Sequence, residues 1–211
     1  IPQIVENLTR DVARDPWVFP THCPECGSDA VAEEGEVDIR CTGGLICPAQ
    51  RVERFKHFAS RGALDIEGLG ATTIEAFVRD GLLHSPADIF RLKDRRGDIL
   101  ARERWAEISV DNLLAAIEAK RAPDPVRLLF GLGIRHIGSV TARDLLKRYA
   151  TLPAVQTLAD EIIALRQSMA PVVGETEQKV QARLDKAIAE HIGVENVGAA
   201  VGHALADFFG E

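Results

Sequence analysis

Leu129-Phe-Gly-Leu-Gly-Ile-Arg135-His136-Ile137-Gly138-Ser-Val-Thr-Ala142-Arg-Asp-Leu145-Leu146 is the stretch from which the architecture can be read. An apolar residue and a glycine, Ile137-Gly138, stand just ahead of a run whose small or apolar residues 142, 145 and 146 fall at helical spacing. The form is a helix or turn, a tight hairpin and a second helix. It recurs in Leu64-Asp-Ile-Glu-Gly68-Leu-Gly70-Ala-Thr-Thr-Ile74-Glu-Ala-Phe-Val78, and again in Val194-Glu-Asn-Val197-Gly198-Ala-Ala-Val-Gly202-His-Ala-Leu205. A worn copy, Arg104-Trp105-Ala106-Glu-Ile-Ser-Val110-Asp-Asn-Leu113-Leu114, has alanine in place of the second glycine. The period is irregular, which excludes a solenoid of identical units. Four helix–hairpin–helix units over residues 61–211 are the economical reading, with hairpins at 68–70, 104–106, 136–138 and 196–198.

Between the third and fourth hairpins, residues 160–190 are acidic and lack the repeat features, so they are expected to be a surface insertion, although 177–192 has the apolar spacing of an amphipathic helix. Upstream, residues 50–60 place Val52, Phe55, Phe58 and Ala59 on one broad helical face. Residues 1–8 are β-rich, and Val37-Asp-Ile-Arg-Cys41 alternates as a short strand would.

All four cysteines lie within residues 23–47, at the spacing C-x2-C-x14-C-x5-C: Thr21-His-Cys23-Pro-Glu-Cys26, then Cys41-Thr-Gly-Gly-Leu-Ile-Cys47-Pro. Two close pairs joined by a returning chain, with Gly43-Gly44 as the turn, suit a tetrahedral zinc bound by Cys23, Cys26, Cys41 and Cys47. The alternative is two disulfides or four unrelated thiols, which the absence of a signal-peptide pattern disfavours. Four protein ligands leave no open coordination position, so such a zinc is structural.

The hairpins suggest a different chemistry. The first amides of a helix lack intrahelical partners, and with the positive helix end they attract a phosphate oxygen. Glycine at that point lets the phosphate approach without meeting a Cβ and lets φ become positive in the hairpin. Amides that hold phosphates position a protein on a duplex without reading its bases. The candidate DNA-binding residues are therefore Gly68, Gly70, Thr72, Arg135, His136, Gly138, Thr141, Arg143, Lys147 and Gly198. Thr72, Thr73, Ser139 and Thr141 could supply hydroxyl contacts or could equally be helix N-caps. A plain helix–helix turn is the alternative for any one copy; Ala106 leaves the second hairpin a packing role.

The chain of 211 residues has a net charge of −7, which by itself argues against a nucleic-acid partner. Two basic islands offset it: residues 39–61, with Arg40, Arg51, Arg54, Lys56 and Arg61, and residues 120–150, with seven cations against Asp124 and Asp144. Such islands are compatible with one DNA-facing side. No apolar run is long enough to span a membrane. Adjacent Glu33-Glu34 reads as a solvated face, and His57, His136 and His203 stand near no nucleophile, so catalysis within the chain is not expected.

A four-cysteine zinc module followed by four helix–hairpin–helix units is similar to the C-terminal half of bacterial NAD+-dependent DNA ligases. The similarity spans the chain and is carried by Ile1-Pro-Gln-Ile-Val, Val18-Phe-Pro-Thr-His-Cys-Pro-Glu-Cys-Gly, Cys41-Thr-Gly-Gly-Leu-Ile-Cys-Pro-Ala-Gln, Lys56-His-Phe-Ala-Ser-Arg, Gly68-Leu-Gly and Leu132-Gly-Ile-Arg-His-Ile-Gly. The resemblance implies a mainly α fold in which residues 1–18 are the cut end of an OB-fold with its linker. Residues 19–60 would be the zinc finger and following helix, and 61–211 the helix–hairpin–helix domain. It implies a parent enzyme of the bacterial cytoplasm and nucleoid that uses NAD+ and Mg2+ to seal 5′-phosphate/3′-OH nicks. This part would be a monomer gripping nicked double-stranded DNA, with no membrane role. The Lys-x-Asp-Gly motif of the adenylated lysine does not occur, so the chain alone is expected to form no enzyme–adenylate. Rival readings are a DNA-binding part of another repair enzyme and a zinc-stabilised protein-interaction module.

Overall fold

The computed structural model describes residues 3, 5–32, 37–44 and 46–210. It divides into two compact units, residues 1–50 and 51–211. The fold is mainly α, as the repeat pattern implies.

Among its described residues the first unit has almost no apolar interior. Its two strands, β1 (Ala30–Val31) and β2 (Arg40–Cys41), pair antiparallel with Ala30 opposite Cys41 and Val31 opposite Arg40. An isolated bridge joins His22 to Asp29. Among the described residues, the strand expected over 37–41 is confined to its last two residues, Arg40 and Cys41, which pair with Val31 and Ala30. Residues 3 and 5–7 form no strand, since nothing among the described residues pairs with them; the rest of the expected N-terminal strand (1, 2 and 4) and Glu33-Glu34 lie outside the described residues.

The second unit is helical throughout, after α1 (Pro48–Ala59) enters it. The first unit ends at residue 50, and Phe55 and Phe58 of α1 are buried at 1% and 3% exposure in the helical core, so this helix packs with the repeats that follow. Next come α2 (Ala71–Arg79), the short α3 (Pro86–Ile89) and α4 (Arg96–Leu100), and α5 (Glu107–Glu118). Together they close one core around Leu64, Phe77, Leu83, Ile89, Ile99 and Leu113.

A second core is built by α6 (Pro125–Gly131), α7 (Ser139–Tyr149), α8 (Leu152–Ser168), α9 (Glu177–Ile192) and α10 (Ala199–Gly210). Phe130 packs against both cores. His57 reaches from α1 to α6, its Nε2 donating to the Phe130 carbonyl at 2.7 Å. That contact is a structural use of His57.

Local chemistry explains the helix ends. Asp124 accepts from the Val126 and Arg127 amides and Pro125 opens α6; Thr151 caps α8 through the Ala154 amide. Gly193 closes α9 in the left-handed region, φ 57°.

The expectation that residues 160–190 form a surface insertion is wrong. Ile162 of α8 and Ile188 of α9 are fully buried, and α10 packs on both helices. The stretch has no repeat signature because α9 is the first helix of the fourth unit, which is defined by its spacing of apolar residues alone. Among the described residues no helix is long and apolar enough to cross a membrane.

Candidate metal centre and nucleic-acid interface

The four cysteines converge. Each offers one sulfur, and all four sulfurs lie within 4.8 Å of one another. The turn Cys23-Pro-Glu-Cys26-Gly27 is closed by the Gly27 amide on the Cys23 carbonyl (2.9 Å), with Gly27 at φ 74°. The Cys23 amide donates to the Ser28 carbonyl at 2.8 Å. In the second pair, the Gly43 amide donates to Cys41 Sγ at 3.2 Å, and the Cys47 amide to the Gly43 carbonyl at 3.3 Å.

Gly43 shows how tightly the loop wraps the sulfurs: a Cβ there would lie 2.8 Å from Cys26 Sγ and 3.2 Å from Cys41 Sγ. None of the thiols is bridged, and Cys26 and Cys41 Sγ stand 3.5 Å apart, far beyond the roughly 2 Å of a disulfide. A tetrahedron with zinc–sulfur bonds of about 2.3 Å has sulfurs about 3.8 Å apart, a spacing inside the 4.8 Å within which these four sulfurs lie.

The electrostatics point the same way. Ser28, through its hydroxyl and amide, brings Cys26 down to about 6. The Gly43 amide works to lower Cys41, but desolvation and the neighbouring thiols outweigh it and push Cys41 up to about 11. Thiols this crowded cannot all ionise without a cation among them. With all four positions filled by sulfur, the metal is held for structure.

The hairpins share one geometry. Gly68, Arg104, His136 and Asn196 all have positive φ, between 61° and 82°, and each stands two residues ahead of the last residue before a helix. The intervening Leu69, Ile137 and Val197 are buried, and Trp105 is half-buried. The amides of these middle residues donate to the carbonyls of Ile66, Arg102, Ile134 and Val194, at 3.1–3.3 Å.

The positive φ therefore falls on the first residue of each hairpin, and not on the glycine that precedes the helix. Gly70 (φ −77°, ψ 173°) and Gly138 (φ −79°, ψ 177°) are ordinary extended backbone, open to any residue. A Cβ added at Gly70, Gly138 or Gly198 would meet nothing within 4 Å. Neither the turn nor the packing requires glycine at these three places. Gly68 is different, since its φ of 82° and its approach to Leu113 (3.5 Å) account for it within the fold.

Gly70 and Gly138 are the N-caps of α2 and α7, neither of which has a side-chain cap or an acid in its first turn. Thr72, Thr73, Ser139 and Thr141 are accordingly not caps of these helices. Thr72 is exposed and Thr141 half-buried, both in the first turn. Arg143 and Lys147 are placed on α7, where Arg143 and Lys147 face solvent, Arg135 is half-buried in the third hairpin, and His136 is exposed.

The second hairpin differs at the same place. The Ala106 amide donates to Ser109 Oγ at 2.9 Å, and Glu107 and Asp111 of α5 hold Arg96. Its amide is used internally and its helix start is acidic. Sequence reading missed Arg104 and Asn196, whose signal is their place at the head of a three-residue hairpin that runs straight into a helix.

Residues 22–49 match the NAD-dependent DNA ligase C4 zinc finger domain, and residues 127–176 match the helix-hairpin-helix motif. The whole chain aligns with a DNA ligase of Novosphingobium aromaticivorans at 58% identity, covering 31% of that protein. It aligns with DNA ligases of Rhizorhabdus wittichii at 59% and Sphingopyxis alaskensis at 60%, covering 30% of each. The chain thus spans about a third of the length of these curated relatives. With the cysteine cluster inside one matched segment and the third hairpin inside the other, the chain belongs to the NAD-dependent DNA ligase family, as a segment bearing its C4 zinc finger and helix–hairpin–helix repeats.

Proposed function

We propose that this chain is the part of an NAD+-dependent DNA ligase that grips duplex DNA around a nick while the parent enzyme, with NAD+ and Mg2+, joins the 5′-phosphate to the 3′-OH. The carrying observation is the set of glycines at 70, 138 and 198, which stand before helices with open space where a Cβ would be. A glycine that the fold does not need is suited to close approach by another molecule, and two first turns without acids or side-chain caps favour an anion. Gly70, Thr72, Gly138, Thr141 and Gly198 hold backbone phosphates in this reading. Arg135, His136, Arg143 and Lys147 make the third hairpin the most cationic of the contacts, and Gly68 shapes the first turn. Main-chain donors do the holding, so a net charge of −7 is no obstacle. The contacts are indifferent to sequence.

The test is a fluorescence-anisotropy titration of a labelled nicked duplex at several salt concentrations. Binding weakens as salt rises. Gly138→Val, which the open space should accommodate, lowers affinity by about tenfold or more, because a hydrogen bond to a charged group contributes roughly 1.5–3 kcal/mol. Salt-insensitive binding, or full affinity in Gly138→Val with its fold intact, would overturn the phosphate reading.

A further inference from the structure

The second hairpin has neither the glycine nor the free amide that the phosphate reading needs, yet its turn keeps the same backbone. Arg104 sits at its positive-φ position, φ 70°, where glycine would be the unstrained residue. The arginine is exposed and, among the described residues, makes no ion pair or hydrogen bond. Packing therefore does not explain why the turn carries a long cation at a conformational cost.

Its surroundings give a reason. Arg104 lines a groove of about 540 Å3 whose other wall is the first turn of α2, with Thr72 and Thr73. The remaining charged lining residues are Arg79, Asp80, Arg102 and Glu103. Asp80 is held between Arg79 (3.2 Å) and Arg102, which lowers its pKa against the cost of desolvation. It therefore stays ionised and its charge is spent on those two guanidiniums. Three arginines against two acids leave the groove with a net charge of +1, and Arg104 is its uncommitted cation. Trp105, the next residue, is fixed beneath by its ring contact with Phe77, centroids 5.6 Å apart. The turn is thus anchored while the guanidinium remains free to move.

We propose that the second hairpin binds DNA through Arg104, whose guanidinium takes a backbone phosphate of the strand held by the first hairpin, a task that the Ala106 amide, committed to Ser109, does not perform. The inference rests on the reading that the first hairpin holds a phosphate. It makes the first two hairpins a composite grip, with amides from one and a side chain from the other.

The experiment uses the whole chain and the nicked duplex, with affinity measured against KCl concentration. Arg104→Gln removes one phosphate contact, so the slope of log K against log salt becomes shallower by ~0.9. Arg104→Gly weakens binding equally and, because glycine relaxes the positive φ, melts no lower than wild type. That combination is one a merely structural role would not produce. Lys179→Gln, a cation on α9 outside the groove, leaves the slope unchanged. If Arg104→Gln keeps the wild-type slope while Gly70→Val loses affinity, this inference fails and the reading of the first hairpin stands. An equal slope change in Lys179→Gln would also overturn it, and a wild-type chain that binds no duplex would overturn the underlying reading.

Discussion

Gly202→Ala melts several degrees below wild type, and Gly202→Val fails to form the native α8–α10 packing. A Cβ at position 202 would lie 2.4 Å from Ile188 Cγ2, 3.0 Å from Ile192 Cδ1 and 3.2 Å from Ile162 Cδ1. All three isoleucines are fully buried, so none can swing into solvent to make room. Overpacking of this kind costs about 1–3 kcal/mol, which for a unit of this size is roughly 2–4 °C per kcal/mol. Gly138→Ala provides the contrast: it has an ordinary φ and no neighbour within 4 Å, so its melting temperature stays close to wild type while DNA affinity falls. Differential scanning calorimetry beside the anisotropy titration separates the two glycines. Unchanged melting of Gly202→Ala would mean that α10 does not seat on α8 and α9 as described.

The same pair of glycines marks how far the sequence could be read. Gly138 and Gly202 are equally visible as letters, and the repeat pattern located both. Which of them serves the fold depends on what a Cβ would meet, and that is set by α8 and α9, far along the chain. The hairpins were legible because a turn with positive φ, set close before a helix, leaves a local trace, Gly-Leu-Gly or His-Ile-Gly. The role of residues 160–190 was not, because α9 has only helical apolar spacing, and spacing alone does not say whether the apolar face meets a core. The cysteine site was legible in ligand identity and count, since few structures other than a metal site bring two such close pairs together. The short reach of β2 was not legible, because strand length depends on what the returning chain can pair with.

Removal of zinc unfolds the first unit and leaves the second folded. Among the described residues up to position 50, Cys47 is the one buried hydrophobic side chain, and β1 and β2 have two residues each. A unit of this size with so little apolar burial among its described residues cannot offset its conformational entropy that way. The metal must supply the difference, and structural zinc sites deliver apparent binding energies of about 10–16 kcal/mol near neutral pH. The second unit has its own cores around Phe77 and Leu145 and needs no such support. Chelation, or Cys47→Ser, should therefore collapse the dispersed amide signals of residues 21–47 in a two-dimensional NMR spectrum while the calorimetric transition of the helices persists. The pH dependence has a defined sign. Zinc takes thiolates, and in the unfolded, metal-free unit a thiol keeps its proton up to about 8.5. At neutral pH binding must therefore expel thiol protons, so affinity rises with pH and falls as acid keeps the thiols protonated. Titration with a zinc chelator across pH, read by metal analysis of the recovered protein, should show one zinc per chain at pH 8 and progressive loss toward pH 5. A first unit that keeps its spectrum after complete chelation would show that the sulfur cluster does not depend on metal.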